Sequence, residues 1–319
     1  MLRYDLTGRT VAITGSTGGL GSAVAQALRR RGAHLALLCR DGTAVAAQAD
    51  ALGGSRVAWA EQADVTDLDS VRSAIDRAAA HFGRIDVVIA NAGVSAVAPT
   101  ATLNPEVFER VVDVNLTGVW RTFKAALPHL ERQRGYLLAT SSMAAFVHSP
   151  LQAPYTASKA GVWAMCNSIR LEVRHLGVGV GTLHPTFLKT PMLDAIHADP
   201  AGRRLWGGNE RGLWRMCTVD KAVRSIVSGI ERRAQTITAH RAHAIVAAAP
   251  GFFRPFVDRV GFTARTITEA SAASSPSGGL AHTSSTVSCE CEEQSAGSEV
   301  VEGKTVRLSD GEPARKGAL

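Results

Sequence analysis

Aromatic side chains are scarce in this chain, at 5% of its 319 residues, and tyrosine is the rarest of them with three copies. The formal net charge is +7, yet basic groups such as Arg29, Arg30 and Arg31 fall where a helix face is solvated, and no aromatic residues are interleaved with them. Nucleic-acid binding is therefore not expected. Cysteine is equally sparse: Cys39, Cys166, Cys217, Cys289 and Cys291 are scattered and odd in number, which argues against a disulfide framework and fits a reducing compartment. Cys289 and Cys291 have no second ligand pair nearby, so no metal site is expected. No run of apolar residues approaches the length that spans a bilayer, and the first residues carry Arg3, Asp5 and Arg9 without an apolar core, which reads as no signal peptide. The expected location is cytoplasmic.

What is present is the material of a globular core, a hydrophobic fraction of 45%. Thr10 to Thr14 is a β-branched run that meets Gly15-Ser16-Thr17-Gly18-Gly19-Leu20-Gly21 and then continues as a good helix. Glycines are needed where a backbone turns tightly and approaches a pyrophosphate, and the following helix offers free N–H groups and a positive dipole end to phosphate. A second strand, His34 to Cys39, completes a dinucleotide-binding pattern. It ends in Cys39-Arg40 rather than in an acid. An acid at that tip holds a ribose 2′-OH, whereas an arginine pairs with a 2′-phosphate, so Arg40 points to NADP(H) over NAD(H); Asp41 is the competing candidate for the ribose, and a solvated charge is the plain alternative for Arg40.

Further strands at Val57–Ala60, Val87–Ala90, Gly135–Thr140 and 177–185 alternate with helices, among them Leu68–His81 and a long one opened by Pro105 and ended by Pro128. That alternation predicts an α/β protein with a Rossmann-like, doubly wound parallel sheet in three α/β/α layers, with ligands at the carboxyl ends of the strands. Asn115 is a polar amide inside the apolar long helix, for which the plain reading is an amide satisfied by a backbone carbonyl. The helix after the fifth strand carries Tyr155 and Lys159. Four residues apart on one helix, they share a face, and a neighbouring ammonium moves a phenol's pKa downward from ~10. By itself such a pair is more often one aromatic and one solvated lysine on a surface helix.

Taken together and in order, Thr14-Gly15-x-x-x-Gly19-x-Gly21, Asp64, Asn91-Ala92-Gly93, Asn115, Ser142, Tyr155 and Lys159 resemble the classical short-chain dehydrogenase/reductase family over residues 7–240. The resemblance implies a catalytic tetrad of Asn115, Ser142, Tyr155 and Lys159 and a nicotinamide cofactor held by Gly15, Ser16, Thr17, Gly19, Leu20, Gly21, Arg40, Asp64, Val65, Asn91, Ala92, Gly93, Tyr155, Lys159, Pro185 and Thr190. It places Cys39 where NAD-using members carry an acid, and it implies a homodimer or homotetramer built through the Pro105 and Tyr155 helices. Spacing favours Ser142 over Ser141. Two departures stand out: Ala90 replaces the usual first asparagine, and Thr186 follows Pro185 where the family has glycine.

Residues 187–218 are expected to cover the site. Their Met192, Leu193, Ile196, Leu205, Trp206, Leu213, Trp214 and Met216 either face an apolar carbonyl or alcohol substrate or pack the cover onto the core. Residues 243–260 read as an ordinary closing helix or as an amphipathic element in peripheral contact with a membrane. From Ala264 onward, five basic and eight acidic residues sit among Ser, Gly, Ala and Thr, so the domain is expected to end at 263 and 264–319 to form a disordered tail. The leading functional expectation is an NADP(H)-dependent carbonyl reductase or alcohol dehydrogenase. The alternatives are a catalytically silent dinucleotide sensor, an NAD-preferring alcohol dehydrogenase, and a relative that epimerises or dehydrates.

Overall fold

The computed structural model of the protein describes residues 4–207, 216–253, 261–274 and 280–281. Its strands are β1 (Thr10–Thr14), β2 (His34–Cys39), β3 (Ala58–Gln62), β4 (Val87–Ala90), β5 (Ser95–Ala96), β6 (Tyr136–Thr140), β7 (Gly179–His184), β8 (Thr236–Thr238) and β9 (Leu280–Ala281). Seven of them form one sheet in the order β3-β2-β1-β4-β6-β7-β8, with every pairing parallel. The chain builds outward from β1 in one direction, then returns and builds from β4 in the other. This reversal between β1 and β4 opens a crevice at their carboxyl ends.

The helices are α1 (Gly19–Arg30), α2 (Gly42–Ala51), α3 (Leu68–Phe82), α4 (Pro105–Val112), α5 (Gly118–Gln133), α6 (Ala153–Glu172), α7 (Pro191–Ala198), α8 (Pro200–Trp206), α9 (Val219–Glu231), α10 (Arg241–Ala248) and α11 (Ala264–Ala273). Both faces of the sheet are covered, because strand side chains alternate with a period of two. Val11, Ile13, Leu35, Leu37 and Ile89 pack with Val24 and Leu28 of α1 and Ile226 of α9. The intervening Ala12, Ala36, Leu38, Val88 and Leu137 pack with Ile75 of α3, Phe123 of α5 and Val162 of α6. The three expected layers are thus present. At the amino end of the sheet, buried Asp86 accepts from Thr10 N–H and pairs with Arg9 and Arg84, fixing where β1 and β4 begin.

The long helix expected from Pro105 to Pro128 differs in two respects. It is interrupted by a π-helical turn at Asp113–Thr117, and it does not stop at Pro128 but runs on to Gln133. A proline in a helix removes one backbone hydrogen bond and tends to break it. Here buried Phe123, Ala126 and Leu130 anchor the turns on both sides to the core, so the helix tolerates that loss. The extra residue of the π turn carries Asn115 into the interior.

Two glycines in β7 have a packing cause. Any side chain at Gly181 would occupy the space of the Tyr136 ring and hydroxyl, and the hydroxyl donates to Ala234 O at 2.6 Å; Gly179 likewise faces Tyr136. The cover consists of α7 and α8 as far as described; Leu213 and Trp214 lie outside the described residues. The expectation of a disordered tail from Ala264 needs correction. Residues 264–273 are helical, capped by Thr263, and β9 pairs antiparallel with β5. The physical reason is tertiary: Phe262, Ile267 and Ala270 pack against Leu205 and Trp206 of α8, apolar partners that composition alone did not reveal. Residues 275–279 and 282–319 lie outside the described residues, as do 254–260 of the expected closing element.

Candidate active site

The carboxyl ends of β1, β4, β6 and β7 deliver Gly15, Asn91, Ser142 and Pro185 to one side of the sheet. Gly15 has φ +62°, and a Cβ there would come within 2.7 Å of Ala92 Cα, so only glycine makes this turn. Gly21 lies against the Gly15 carbonyl and the Asn91 amide, and a Cβ on Gly19 would meet Thr190 at 2.9 Å. Asn91 braces the loop: its Nδ2 donates to Gly15 O at 3.0 Å and Thr14 O at 3.3 Å. Gln48, which the sequence did not single out, donates to Ser16 O at 2.8 Å. Helix α1 begins behind Gly18, which has no side chain to cap it, and has no acid in its first turn. Its first N–H groups and positive end therefore suit an anionic oxygen. Ser16 Oγ is buried without a partner. These features fit a dinucleotide phosphate group.

At the tip of β2, Thr17 Oγ1 and Cys39 Sγ are 3.0 Å apart, and Arg40 is exposed. Asp41 caps α2 by accepting from Ala44 N–H at 2.9 Å, which engages the competing candidate for the ribose. Asp64 accepts from Thr66 N–H and Oγ1–H at 2.9 and 2.7 Å. Burial alone would raise its pKa, but these bonds and the charges of Arg110 and Arg40 hold it below the ordinary carboxylate value. Val65 is buried beside Gly118.

A pocket of about 230 Å³ runs from Gly18–Gly21 past Asn91, Gly93, Ser142, Tyr155 and Lys159 to Phe187, Leu188, Met192, Leu193 and Ile196. Pro185, Thr186 and Thr190 line it, as do His243 and Val246 of α10, which were not foreseen. Thr186 has none of the positive φ that would demand glycine, so its side chain faces the pocket without backbone strain. Leu205 and Trp206 are instead buried among the residues that hold the cover down. Met192, Leu193 and Ile196 of the cover thus line the pocket, while Leu205 and Trp206 pack it onto the core.

Tyr155 and Ser142 line the same pocket. Burial raises the phenol's pKa, and the nearby Ser142 hydroxyl opposes the rise. Ser142 Oγ also accepts from Ala144 N–H at 3.1 Å, whereas Ser141 Oγ is turned to Lys159 O at 2.8 Å. Lys159 is buried, and its Nζ donates to Thr140 O at 2.8 Å and lies 5.7 Å from the Tyr155 ring centre. Burial brings the lysine down to about 8. For the Tyr155 phenol, desolvation is the larger influence, and its pKa stands above the ordinary value. Asn115 does not line the pocket. Its Oδ1 accepts from Val94 N–H at 2.8 Å, and its Nδ2 donates to Val94 O at 2.9 Å and Ser158 Oγ at 3.1 Å. It ties the loop after β4 to α6, and the bare Gly93 leaves Lys159 Nζ room beside it. Among the described residues, no group of three or more His, Cys, Asp or Glu side chains is placed to hold a metal ion.

A doubly wound parallel sheet with a glycine turn at its switch point defines a Rossmann-like dinucleotide-binding protein. The short chain dehydrogenase family profile matches residues 9–201, and the chain belongs to that family. It is 35% identical over 194 residues to the oxidoreductase UcpA of Salmonella typhimurium, covering 60% of this chain and 73% of the relative. It is 35% identical over 204 residues to 3beta-hydroxysteroid dehydrogenase 1 of Eggerthella lenta, covering 62% and 78%. The cis-4-hydroxycyclohexanecarboxylate dehydrogenase of Sinomonas cyclohexanicum is 35% identical over 60% of this chain and 78% of its own. Among solved structures, an alcohol dehydrogenase of Thermococcus sibiricus complexed with 5-hydroxy-NADP superposes with TM-score 0.61 at 27% identity, covering 72% of this chain and 95% of its own. A short-chain dehydrogenase/reductase of Burkholderia phymatum in complex with NAD shares the fold, with TM-score 0.70 at 23% identity over 82% and 98% of the two chains. The protein is an oxidoreductase enzyme of this family, which uses a nicotinamide dinucleotide.

Proposed function

We propose that the protein interconverts a carbonyl and a secondary alcohol on an apolar, ring-bearing substrate, using NADP(H) in preference to NAD(H), with Tyr155 as the acid/base. The observation that carries this reading is that Ser142, Tyr155 and Lys159 line one pocket that joins the glycine loop to an apolar wall. When bound, the nicotinamide supplies or accepts the hydride. Tyr155 gives its proton to the carbonyl oxygen in reduction, and its raised pKa keeps it in the acid form that this direction needs. Ser142 turns its hydroxyl to the same oxygen, where charge develops in the transition state. Lys159 lies one turn from Tyr155, where it would reach the nicotinamide ribose; an anionic neighbour there favours its ammonium form. For oxidation the phenol must ionise, and that ammonium then assists it. Asn115 keeps the Gly93-Val94 loop against α6 and bounds the place where a water would link Lys159 to solvent.

The cofactor would lie along Gly15–Gly21 with its adenosine towards Asp64 and Val65. Arg40 would meet a 2′-phosphate, since Asp41 is engaged as a helix cap and no acid occupies the end of β2. The ring-bearing substrate follows from the apolar lining and agrees with the steroid and cyclohexane alcohols named for two relatives. The enzyme would act in the cytoplasm as a homodimer or homotetramer, with peripheral membrane contact through 243–260.

Turnover with NADPH and with NADH over ketones, aldehydes and 3-ketosteroids tests the reading. NADPH should give the higher kcat/KM, and Tyr155→Phe should lose at least ~10²-fold in kcat while still binding NADPH. Near-wild-type reduction by that variant would remove the assignment. A wild type that binds NADPH but turns over none of these substrates would favour a catalytically silent sensor.

A further inference from the structure

His184 is the last residue of β7 and is fully buried at 0% exposure. In a strand, residues two apart share a face, and this puts its ring beside Thr182, with Nε2 2.8 Å from Thr182 Oγ1. Its other nitrogen, Nδ1, is 3.2 Å from the carbonyl oxygen of Ser142. A carbonyl can only accept, so the neutral ring that bonds Ser142 O carries its proton on Nδ1, and Nε2 faces the Thr182 hydroxyl, which also donates to Gln235 O at 3.3 Å. Thr182 is itself held through its N–H to Gln235 O at 3.0 Å, next to the edge strand β8. One ring face meets Phe146 with centres 4.5 Å apart, and Phe146 in turn meets Trp163 of α6 edge-on at 5.3 Å. The ring is therefore held by a polar partner at each nitrogen and by a packed face.

A second bond joins the same two segments, Met143 N–H to Pro185 O at 3.0 Å. The peptide between Ser142 and Met143 is thus held at both its C=O and its N–H by the end of β7, while Ser142 Oγ accepts from Ala144 N–H. The grip sets the plane of the Ser142 peptide, and the peptide plane sets where Oγ points. Burial and the nearby Lys159 bring the His184 imidazole down to about 4. It is neutral throughout the working pH range and adds no charge beside Tyr155 and Lys159.

We propose that His184 is a positioning residue: it fixes the Ser142 backbone so that the Ser142 hydroxyl stays aimed at the reacting oxygen beside Tyr155. The proposal rests on the role given to Ser142 above. His184 does not line the pocket, and it acts only through Ser142.

The test is a double-mutant cycle of His184→Phe and Ser142→Ala, with His184→Asn as the conservative rescue. Phenylalanine keeps the stack on Phe146 and removes both hydrogen bonds. Asparagine returns an N–H donor at the Nδ1 position. With cyclohexanone and NADPH as probes, His184→Phe should lower kcat about tenfold with the KM for NADPH unchanged, and His184→Asn should regain most of it; in the Ser142→Ala background His184→Phe should cost nothing further. An equal loss in both backgrounds, or an asparagine variant no better than phenylalanine, would overturn the proposal.

A readout without turnover separates it from the functional reading. The chain has three tyrosines, so protein labelled at tyrosine ¹³Cζ gives three resonances, and Tyr155→Phe assigns the relevant one. That resonance should move in His184→Phe as it moves in Ser142→Ala, and return in His184→Asn; no movement in His184→Phe overturns the proposal. If Ser142→Ala kept wild-type kcat, the role of Ser142 would fall, and the resonance alone would decide whether His184 orients it.

Discussion

Lys159 is a charge held where charge is costly. Its folded pKa of about 8 lies below the 10.5 of a free lysine, so between these values the unfolded chain binds more protons than the folded one. Stability from this group therefore rises with pH across that interval and is lost as pH falls through it. Relative to Lys159→Met, the cofactor-free wild type should gain up to about 3 kcal/mol between pH 8 and 10.5, as chemical denaturation at each pH would show. A difference that stays flat with pH would mean that the ammonium is solvated. At this scale the sequence was informative about identity and less so about company. Tyr155 and Lys159 were legible from their spacing, Ser142 and Gly93 from the family resemblance, and all four line one pocket. The partners that hold them were not, because Thr140 O and Val94 act through backbone groups that any side chain could carry. His184 had a signal that went unread: with Thr182 it makes a polar pair two residues apart in an otherwise apolar strand.

Among the elements, α11 shows where composition misleads. Its Ser, Ala and Thr content suggests a segment unable to offset its own ordering. Its apolar residues are few, but Ile267 and Ala270 fall on one face, and α8 presents Leu205 and Trp206 to receive them. The helix thus backs the cover from behind. Ending the chain at Thr263 should remove about 2 kcal/mol of apolar burial, lower Tm by ~4–8 °C, and raise KM for the ketone more than KM for NADPH. Unchanged Tm and substrate KM would show that α11 contributes nothing to the cover. The strands and their order were easier to foresee, since fully buried parallel strands are continuous apolar runs and their crossovers have one hand. The end of α5 was not, because proline rules are local and the anchoring by Leu130 is not.

Among the described residues, large apolar side chains face outward in two parts of the chain. Trp120 of α5 and Leu171 of α6 are 43% and 73% exposed, on the helices expected to join subunits, and Phe108 of α4 is exposed with them. Ile245 and Phe252, within 243–260, are 60% and 80% exposed. Among the described residues, no helix is long and apolar enough to cross a membrane. Sedimentation with and without anionic phospholipid vesicles assigns both surfaces in one experiment. Trp120→Glu should reduce the assembly to a smaller species without altering vesicle binding, and Phe252→Glu should do the reverse. A wild type that sediments as a monomer, and equally with and without vesicles, would reject both.

The π turn between α4 and α5 works as a change of phase. A residue more than the helical repeat turns everything beyond it by roughly 100° about the axis, so α4 faces α6 while α5 faces α3. A single rod thus serves two neighbours on different sides, and the joint between its halves is where Asn115 is buried. The helix therefore cannot be regularised by losing one residue there without either α6 or α3 losing its partner face, and the site its amide is tied to would go with it.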